Sequence, residues 1–318
     1  MVEVPGRERL DHDDHPGRGG RRVLVTGAGG YLGREVVAAL RTAGHHPIAM
    51  VHREVVEIPG AAEVRVADLL DRNTLRAAVT GVDVVCHLAG LTRARESFAD
   101  PVGYYDVNVG GTEALLAAMA DAGVEGLVFS STCAVYGSPD RQPMTEDLSA
   151  DPPHPYASSK LVAESVVEAQ ARAGASRAII LRLPNLAGGD DRDPTRLIPR
   201  VLAAAATGEP LGINGDGTAV RDYLHVADAA TAFVTAVDNL PAPGEALRYN
   251  IGSGRGASIL DVVAAAEQVT GRRVPVVHNP PVPEPAVLIV DATRARTELG
   301  WKPRYSELET ILRDTRTA

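Results

Sequence analysis

From Arg22 onward, short runs of β-branched and other apolar residues alternate with longer stretches rich in Ala, Leu and Val. The short runs are Val23-Leu24-Val25, Ile48-Ala49-Met50-Val51, Val64-Arg65-Val66, Val82-Asp83-Val84-Val85, Leu127-Val128-Phe129 and Ile179-Ile180-Leu181. Apolar runs this short predict buried strands. The stretches between them predict helices over 33–43, 73–79, 109–122 and 156–173. Strands alternating with helices imply right-handed βαβ crossovers, so the expected architecture is α/β, a Rossmann-type doubly wound parallel sheet. From about Pro184 the alternation breaks into Gly, Pro and longer connections. That change predicts a smaller C-terminal lobe above the carboxyl ends of the strands, where ligands of such sheets bind.

Composition narrows the picture. The chain has 318 residues, 45% of them apolar, enough for one large α/β unit or two joined lobes. Residues 1–20 carry almost no apolar content and cannot bury enough surface to order themselves, so a disordered tail is expected there. His12-Asp13-Asp14-His15 lies in that tail without a defined coordination sphere, and no metal site is expected. A net charge of -9 argues against a partner bound through its phosphate backbone, so no nucleic acid is expected. Cys86 and Cys133 are the only cysteines, which implies no disulfide framework and fits a reducing compartment. No apolar run reaches the roughly 18 residues of a membrane span, and Met1-Val2-Glu3-Val4-Pro5 lacks the regions of a secretory signal. The expectation is a cytoplasmic protein without a membrane partner.

Thr26-Gly27-Ala28-Gly29-Gly30-Tyr31-Leu32-Gly33 follows the first predicted strand and opens the first helix. Gly27 permits a tight turn, Gly30 lets backbone approach a pyrophosphate, and Gly33 allows close packing of helix on strand. This predicts a dinucleotide site in a domain over 21–183, with 184–318 mainly a substrate-binding lobe and segments near 221–238 returning to the first domain. Asp68-Leu69, after the third strand, is placed to accept from an adenine amino group. The second strand ends Val51-His52-Arg53, without the acidic residue that holds a free ribose 2′-hydroxyl. His52 and Arg53 could meet a 2′-phosphate instead, so NAD and NADP both remain open as cofactors.

Tyr156 and Lys160 stand four residues apart in Pro155-Tyr156-Ala157-Ser158-Ser159-Lys160, which puts a phenol and an ammonium on one helical face. A nearby positive charge favours the phenolate, so the expected base is a tyrosine of lowered pKa that can take a proton from a hydroxyl.

With glycines at 27, 30 and 33 followed in order by Thr132, Tyr156 and Lys160, the chain resembles the extended short-chain dehydrogenase/reductases, and among them the UDP-galactose 4-epimerase-like enzymes. The resemblance spans roughly 22–310. His87-Leu88-Ala89-Gly90, the run from Tyr104 to Thr112 containing Asn108, and Ser130-Ser131-Thr132 look like the family's cofactor-facing segments, as does Leu183-Pro184-Asn185. Gly215-Asp216-Gly217-Thr218-Ala219-Val220-Arg221-Asp222-Tyr223 is similar to the run that carries an arginine to the substrate diphosphate. The resemblance implies catalysis by Thr132, Tyr156 and Lys160. It implies cofactor contacts from Leu88, Ala89, Gly90, Asn108, Ser130, Pro184, Tyr156 and Lys160, and substrate contacts from Thr132, Asn185, Arg221 and Tyr223. It also implies a nucleotide-sugar substrate and a homodimer formed through the helices at 109–122 and 156–173.

Related 4,6-dehydratases place an Asp-Glu pair after the threonine; Cys133 and Ala134 stand here, which disfavours dehydration. The epimerases carry a basic residue followed by Gly-Asp before the last strand. This chain instead reads His278-Asn279-Pro280-Pro281-Val282-Pro283-Glu284-Pro285-Ala286-Val287, so a bidentate arginine contact to phosphate is missing. Thr92 replaces a frequent lysine, with Arg93 and Arg95 nearby. Arg196 and Arg200 could supply charge to the diphosphate from another side. The leading expectation is an NAD(P)-dependent nucleotide-sugar 4-epimerase acting through a 4-keto intermediate, with a UDP-sugar as the substrate the resemblance implies. The alternatives are an NADPH-dependent ketoreductase and a non-catalytic dinucleotide sensor.

Overall fold

A computed structural model describes residues 20–54 and 57–316. The tail expected over 1–20 falls, except for Gly20, outside the described residues, and so does His12–His15. The first half runs β1 (Arg22–Thr26), α1 (Tyr31–Thr42), β2 (His46–Val51), β3 (Glu63–Val66), α2 (Arg72–Val79) and β4 (Val84–His87). It continues through α3 (Pro101–Tyr105), a π-helical turn at Asp106–Gly110, α4 (Gly111–Asp121), β5 (Gly126–Thr132), α5 (Pro155–Arg172) and β6 (Arg177–Leu183). The second half holds β7 (Asn185–Ala187), α6 (Leu197–Thr207), β8 (Leu211–Asn214), β9 (Val220–His225), α7 (Val226–Asp238) and β10 (Ala246–Asn250). It closes with β11 (Gly256–Ser258), α8 (Ile259–Thr270), β12 (Val276–Asn279), β13 (Val287–Leu288), α9 (Thr293–Glu298) and α10 (Leu308–Asp314).

Seven strands form one sheet in the order β10-β6-β5-β4-β1-β2-β3, every neighbouring pair parallel. The doubly wound sheet expected from the alternating pattern is therefore present. Side-chain alternation along β1 sends Val23 and Val25 to one face, where they pack with Val36, Val37 and Leu40 of α1 and Phe233 of α7. Leu24 goes to the other face, with Leu75 of α2, Leu115 of α4 and Val167 of α5. Helices thus cover both faces, and chain order reverses between β1 and β4. Ligands of such sheets bind at that reversal, outside the carboxyl ends of the strands.

The helix expected over 109–122 begins earlier. Asp100 accepts from Gly103 N (3.0 Å) and Pro101 occupies the first turn, a combination that starts α3 at residue 101. The chain then passes through the π turn before regular α4. Beyond β6 the chain alternates between two places. α6, α8 and α10 enclose a separate core with Leu211, Ile213 and Tyr223, beside a four-stranded sheet containing β7, β9, β11 and β13. α7 and β10 instead join the large sheet. Asp228 of α7 accepts from Arg304 N (2.8 Å), Tyr305 N (2.8 Å) and Ser306 Oγ (2.6 Å), while Trp301 Nε1 donates to Asp228 O (3.2 Å). These bonds clamp the chain after α9 onto α7. No helix among the described residues is long and apolar enough to cross a membrane.

Candidate active site

At the reversal point the turn after β1 contains two glycines, Gly27 and Gly33, that nothing larger can replace. Gly27 has φ +70°, and a Cβ there would stand 2.9 Å from Ala89 N. At Gly33 a Cβ would lie 2.1 Å from Gly27 O, closer than real Cβ atoms approach. Gly30 caps α1 without any side-chain bond, so no side chain competes for the N–H groups of the first turn. Those residues fit a dinucleotide pyrophosphate: open backbone donors, a helix amino end and no side chain in the approach. Leu32 packs inward against the core, and Tyr31 Oη donates to Gly188 O (2.5 Å).

Across the reversal, the loop after β4 is fixed from two sides. Thr26 Oγ1 accepts from Leu88 N (3.1 Å) and Ala89 N (3.0 Å). Asn108, in the π turn, accepts from Leu91 N (2.8 Å) and donates to Leu91 O (3.0 Å) and Ser159 Oγ (2.9 Å). A Cβ on Gly90 would lie 2.6 Å from Asn108 Oδ1, so this close approach requires glycine. Asn108 was expected among the cofactor contacts; its amide here holds the loop that carries Leu88, Ala89 and Gly90. Beneath it, buried His87 bridges Thr26 Oγ1 (2.8 Å) and Thr112 Oγ1 (3.1 Å). Thr112 spends its proton on Asn108 O (2.6 Å), so His87 Nε2 donates to Thr112 and Nδ1 accepts from Thr26. Burial, then nearby Lys160, push the His87 pKa down to about 3, which keeps the imidazole neutral.

At the far edge of this crevice His52 Nε2 lies 3.2 Å from Asp68 Oδ2, and Asp68 Oδ1 accepts from Leu70 N (2.9 Å). That backbone bond, with His52 and Arg53 beside it, holds the Asp68 carboxyl below its usual range. His52 and Arg53 are exposed, and Leu69 is buried against Gly111.

Thr132 ends β5, while Tyr156 and Lys160 lie in the first turns of α5. Pro155 opens that helix, and His154 caps it by accepting from Ala157 N (3.1 Å). The Tyr156 ring stacks on His154 (5.7 Å, 13°) and meets Tyr104 edge-on (6.5 Å). Lys160 is 3% exposed, with Nζ 4.5 Å above the Phe129 ring. Burial pulls its pKa down to about 8, partly opposed by Glu164 one turn on. Burial pushes the Tyr156 phenol up to about 12, against a hydrogen bond from Thr132. The expected lowering of the tyrosine is therefore not met in the protein alone: removal of the phenolate from water outweighs the hydrogen bond from Thr132.

One turn below Lys160, Glu164 accepts from Ser131 Oγ (2.5 Å) and Arg182 Nε (2.9 Å), and its other oxygen from Arg182 Nη2 (2.6 Å). Both ionised side chains are 2% exposed. Arg182 lies over the Tyr136 ring (4.8 Å), whose hydroxyl donates to Asn250 Oδ1 (2.7 Å). Cys133 is buried, its thiol on Arg182 O (3.3 Å) and its pKa pushed up by burial, which suits a packing residue rather than a nucleophile. The sequence singled out neither Glu164 nor His154, and Tyr104 and Arg182 only as members of runs similar to the family's. A signal existed for Glu164, which repeats the four-residue spacing of Tyr156 and Lys160.

Pro184 follows β6, and strand pairing sets Asn185 opposite Tyr223. Arg221 stands beside them but is occupied: Nη2 contacts Glu284 Oε2 (2.7 Å), and Nη1 donates to Val220 O and Pro285 O (both 2.8 Å). Arg196 contacts Asp191 (3.4 Å) and lies over the Tyr31 ring (4.9 Å), while Arg200 donates to Gly212 O (2.5 Å). Those two arginines hold the 190–196 loop and the α6–β8 junction. Ser130 is half-buried on β5. Among the described residues no group of three or more His, Cys, Asp or Glu side chains is placed to hold a metal ion.

A reversal point floored by glycine, with a phenol–ammonium pair on the helix after the neighbouring strand, is the arrangement shared by extended short-chain dehydrogenase/reductases, and this chain is of that class. The profile of the NAD dependent epimerase/dehydratase family matches residues 23–252, and the chain belongs to that family. A UDP-glucose 4-epimerase from Azospirillum brasilense is 39% identical over 319 residues, covering 92% of this chain and 90% of its own. The crystal structure of UDP-glucose 4-epimerase from Brucella ovis in complex with NAD superposes with a TM-score of 0.86 at 35% identity, covering 93% of this chain and 97% of the other. The enzyme from Stenotrophomonas maltophila, with bound NAD and formylated UDP-arabinopyranose, also gives 0.86 at 35% identity, with 93% and 96% coverage.

Proposed function

We propose that this protein is an NAD-dependent nucleotide-sugar 4-epimerase that inverts C4 of a UDP-sugar through a 4-keto intermediate. The observation that carries this reading is the Thr132, Tyr156 and Lys160 group beside the glycine-floored crevice. The relatives named as UDP-glucose 4-epimerases, and the neighbouring structures that contain NAD, support it. When bound, NAD supplies a hydride acceptor and a positively charged nicotinamide ring. Gly27, Gly30 and the amino end of α1 hold the pyrophosphate, and Gly90 leaves room beside Lys160. Tyr156 takes the C4 hydroxyl proton and later returns it to the C4 oxygen of the inverted sugar, Thr132 orients that oxygen, and Lys160 supplies positive charge and a donor.

In this proposal residues 21–183, together with the returning segments, form the dinucleotide domain, and the α6, α8 and α10 region binds the substrate. Arg221, Tyr223 and Asn185 are its nucleotide-facing residues. Two chains pair through α4 and α5. Incubating the NAD-loaded protein with UDP-glucose, UDP-N-acetylhexosamine and dTDP-hexose tests the activity. The expected result is C4 inversion without net cofactor consumption, reduced about 10²–10⁴-fold in Tyr156→Phe. Exposed His52 and Arg53 motivate the one competing reading. Stoichiometric NADPH oxidation with a 4-keto sugar would identify a ketoreductase instead.

A further inference from the structure

The segment between β12 and β13 departs most from the epimerase pattern, and it places a carboxylate on the diphosphate arginine. We propose that Glu284 sets substrate affinity as a latch: its carboxylate occupies the anion-binding edge of Arg221 and must be displaced by the diphosphate of an incoming nucleotide. This inference rests on the nucleotide-sugar reading of Arg221.

The geometry assigns different tasks to the two partners. Arg221 is fixed, because Nη1 is held by the carbonyls of Val220 and Pro285 and its side chain is 15% exposed. Nη2 is left to face Glu284 at 2.7 Å. Glu284 has a side chain 35% exposed, so rotation carries it into water. Its backbone is less free. Prolines at 280, 281, 283 and 285 restrict the strap, which is anchored at one end by Gly215 N donating to Asn279 O (3.0 Å) and at the other by Val220 N donating to Ala286 O (2.8 Å). Release therefore needs only a side-chain rotation.

Carboxylate and phosphate compete for the same guanidinium edge because each can present two charged oxygens to its N–H groups. The other candidate cations are committed as well, Arg196 to Asp191 and Arg200 to Gly212 O. A diphosphate thus meets a neutralised arginine and a negative neighbour, and binds more weakly than the guanidinium alone would allow. Burial pushes the neighbouring Tyr223 phenol up to about 12, with Arg221 opposing and Glu284 adding to that rise.

Calorimetry on the NAD-loaded protein, with UDP and with uridine as probes, tests the latch. In Glu284→Gln the Kd for UDP is expected to fall about tenfold while that for uridine stays within about twofold. Loss of structure would not tighten a ligand, so a gain in affinity separates the latch from a packing role. Glu284→Asp, whose shorter arm retreats from Arg221, should shift UDP binding in the same direction. Weaker binding of both probes in Glu284→Gln would overturn the latch and make Glu284 a direct contact to the nucleoside. Unchanged binding of both would reduce the pair to a surface ion pair. If neither wild type nor variant binds UDP, dTDP or GDP while NAD is retained, the nucleotide-sugar reading falls and the latch falls with it.

Discussion

Lys160 and Tyr156 were visible because a four-residue spacing on a helix determines a shared face whatever the rest of the chain does. Their ionisation was not visible, since it depends on burial by Phe129 and Tyr104, which come from other parts of the sequence, and on the stacking of His154 at the start of the same helix. The consequence is a pH dependence opposite to a simple picture of a permanently charged lysine. With its pKa brought down to about 8 by burial, Lys160 loses its proton as pH rises through that value. Glu164 favours the charged form, and His87 is already neutral in this range. C4 inversion, measured as kcat/KM against pH, is expected to decline as pH rises through about 8 if the ammonium is required. A profile flat from about pH 7 to about pH 10 would refute the requirement. The glycines at 27, 30 and 33 were equally legible, because each meets a backbone atom a few residues away or across one strand. The arginines were not. Arg196, Arg200 and Arg221 could be picked out as cations, but their partners Asp191, Gly212 and Glu284 are set by tertiary packing.

Five of the six short strands could be read from periodicity because each buries a continuous apolar surface, whereas β3, at the sheet edge, leaves Glu63 and Val66 exposed and is fixed by pairing with β2. β10 could not. Ala246-Leu247-Arg248-Tyr249-Asn250 mixes polar and apolar positions, as suits an edge strand, and its place is decided by pairing with β6. α5 is joined to β5 and β6 through one buried knot, Glu164 with Ser131 and Arg182. Removing one partner of a buried pair strands the other charge. Glu164→Ala is expected to lower stability by about 3–5 kcal/mol in urea unfolding, and Glu164→Gln, which keeps an acceptor, by less. Equal stability of Glu164→Ala and wild type would show that Arg182 finds another partner.

A parallel, doubly wound sheet follows from strand–helix alternation and handedness, and the glycine turn after β1 marked the crevice without coordinates, whereas the strand order and the reversal between β1 and β4 are set by the pairing itself. The way α7 and the chain after Trp301 return to the large sheet depends on Asp228 and could only be matched by resemblance. At this scale the surface around α3 and α5 also stands out, with Phe98 65%, Val102 69% and Val162 38% exposed. Light scattering should give the mass of two chains, and Val162→Asp on α5 with Ala117→Asp on α4 should give one; a monomeric wild type would remove the proposed dimer. The loop at 88–91 has a different kind of consequence. Thr26 and Asn108 hold it by hydrogen bonds to Leu88, Ala89 and Leu91, all internal to the protein. The entropy of ordering that wall is thus spent when the chain folds rather than when a dinucleotide arrives, and a ligand entering a preorganised cradle leaves slowly. An epimerase that returns each hydride it removes needs that residence time, because a cofactor lost in mid-cycle would strand a ketone.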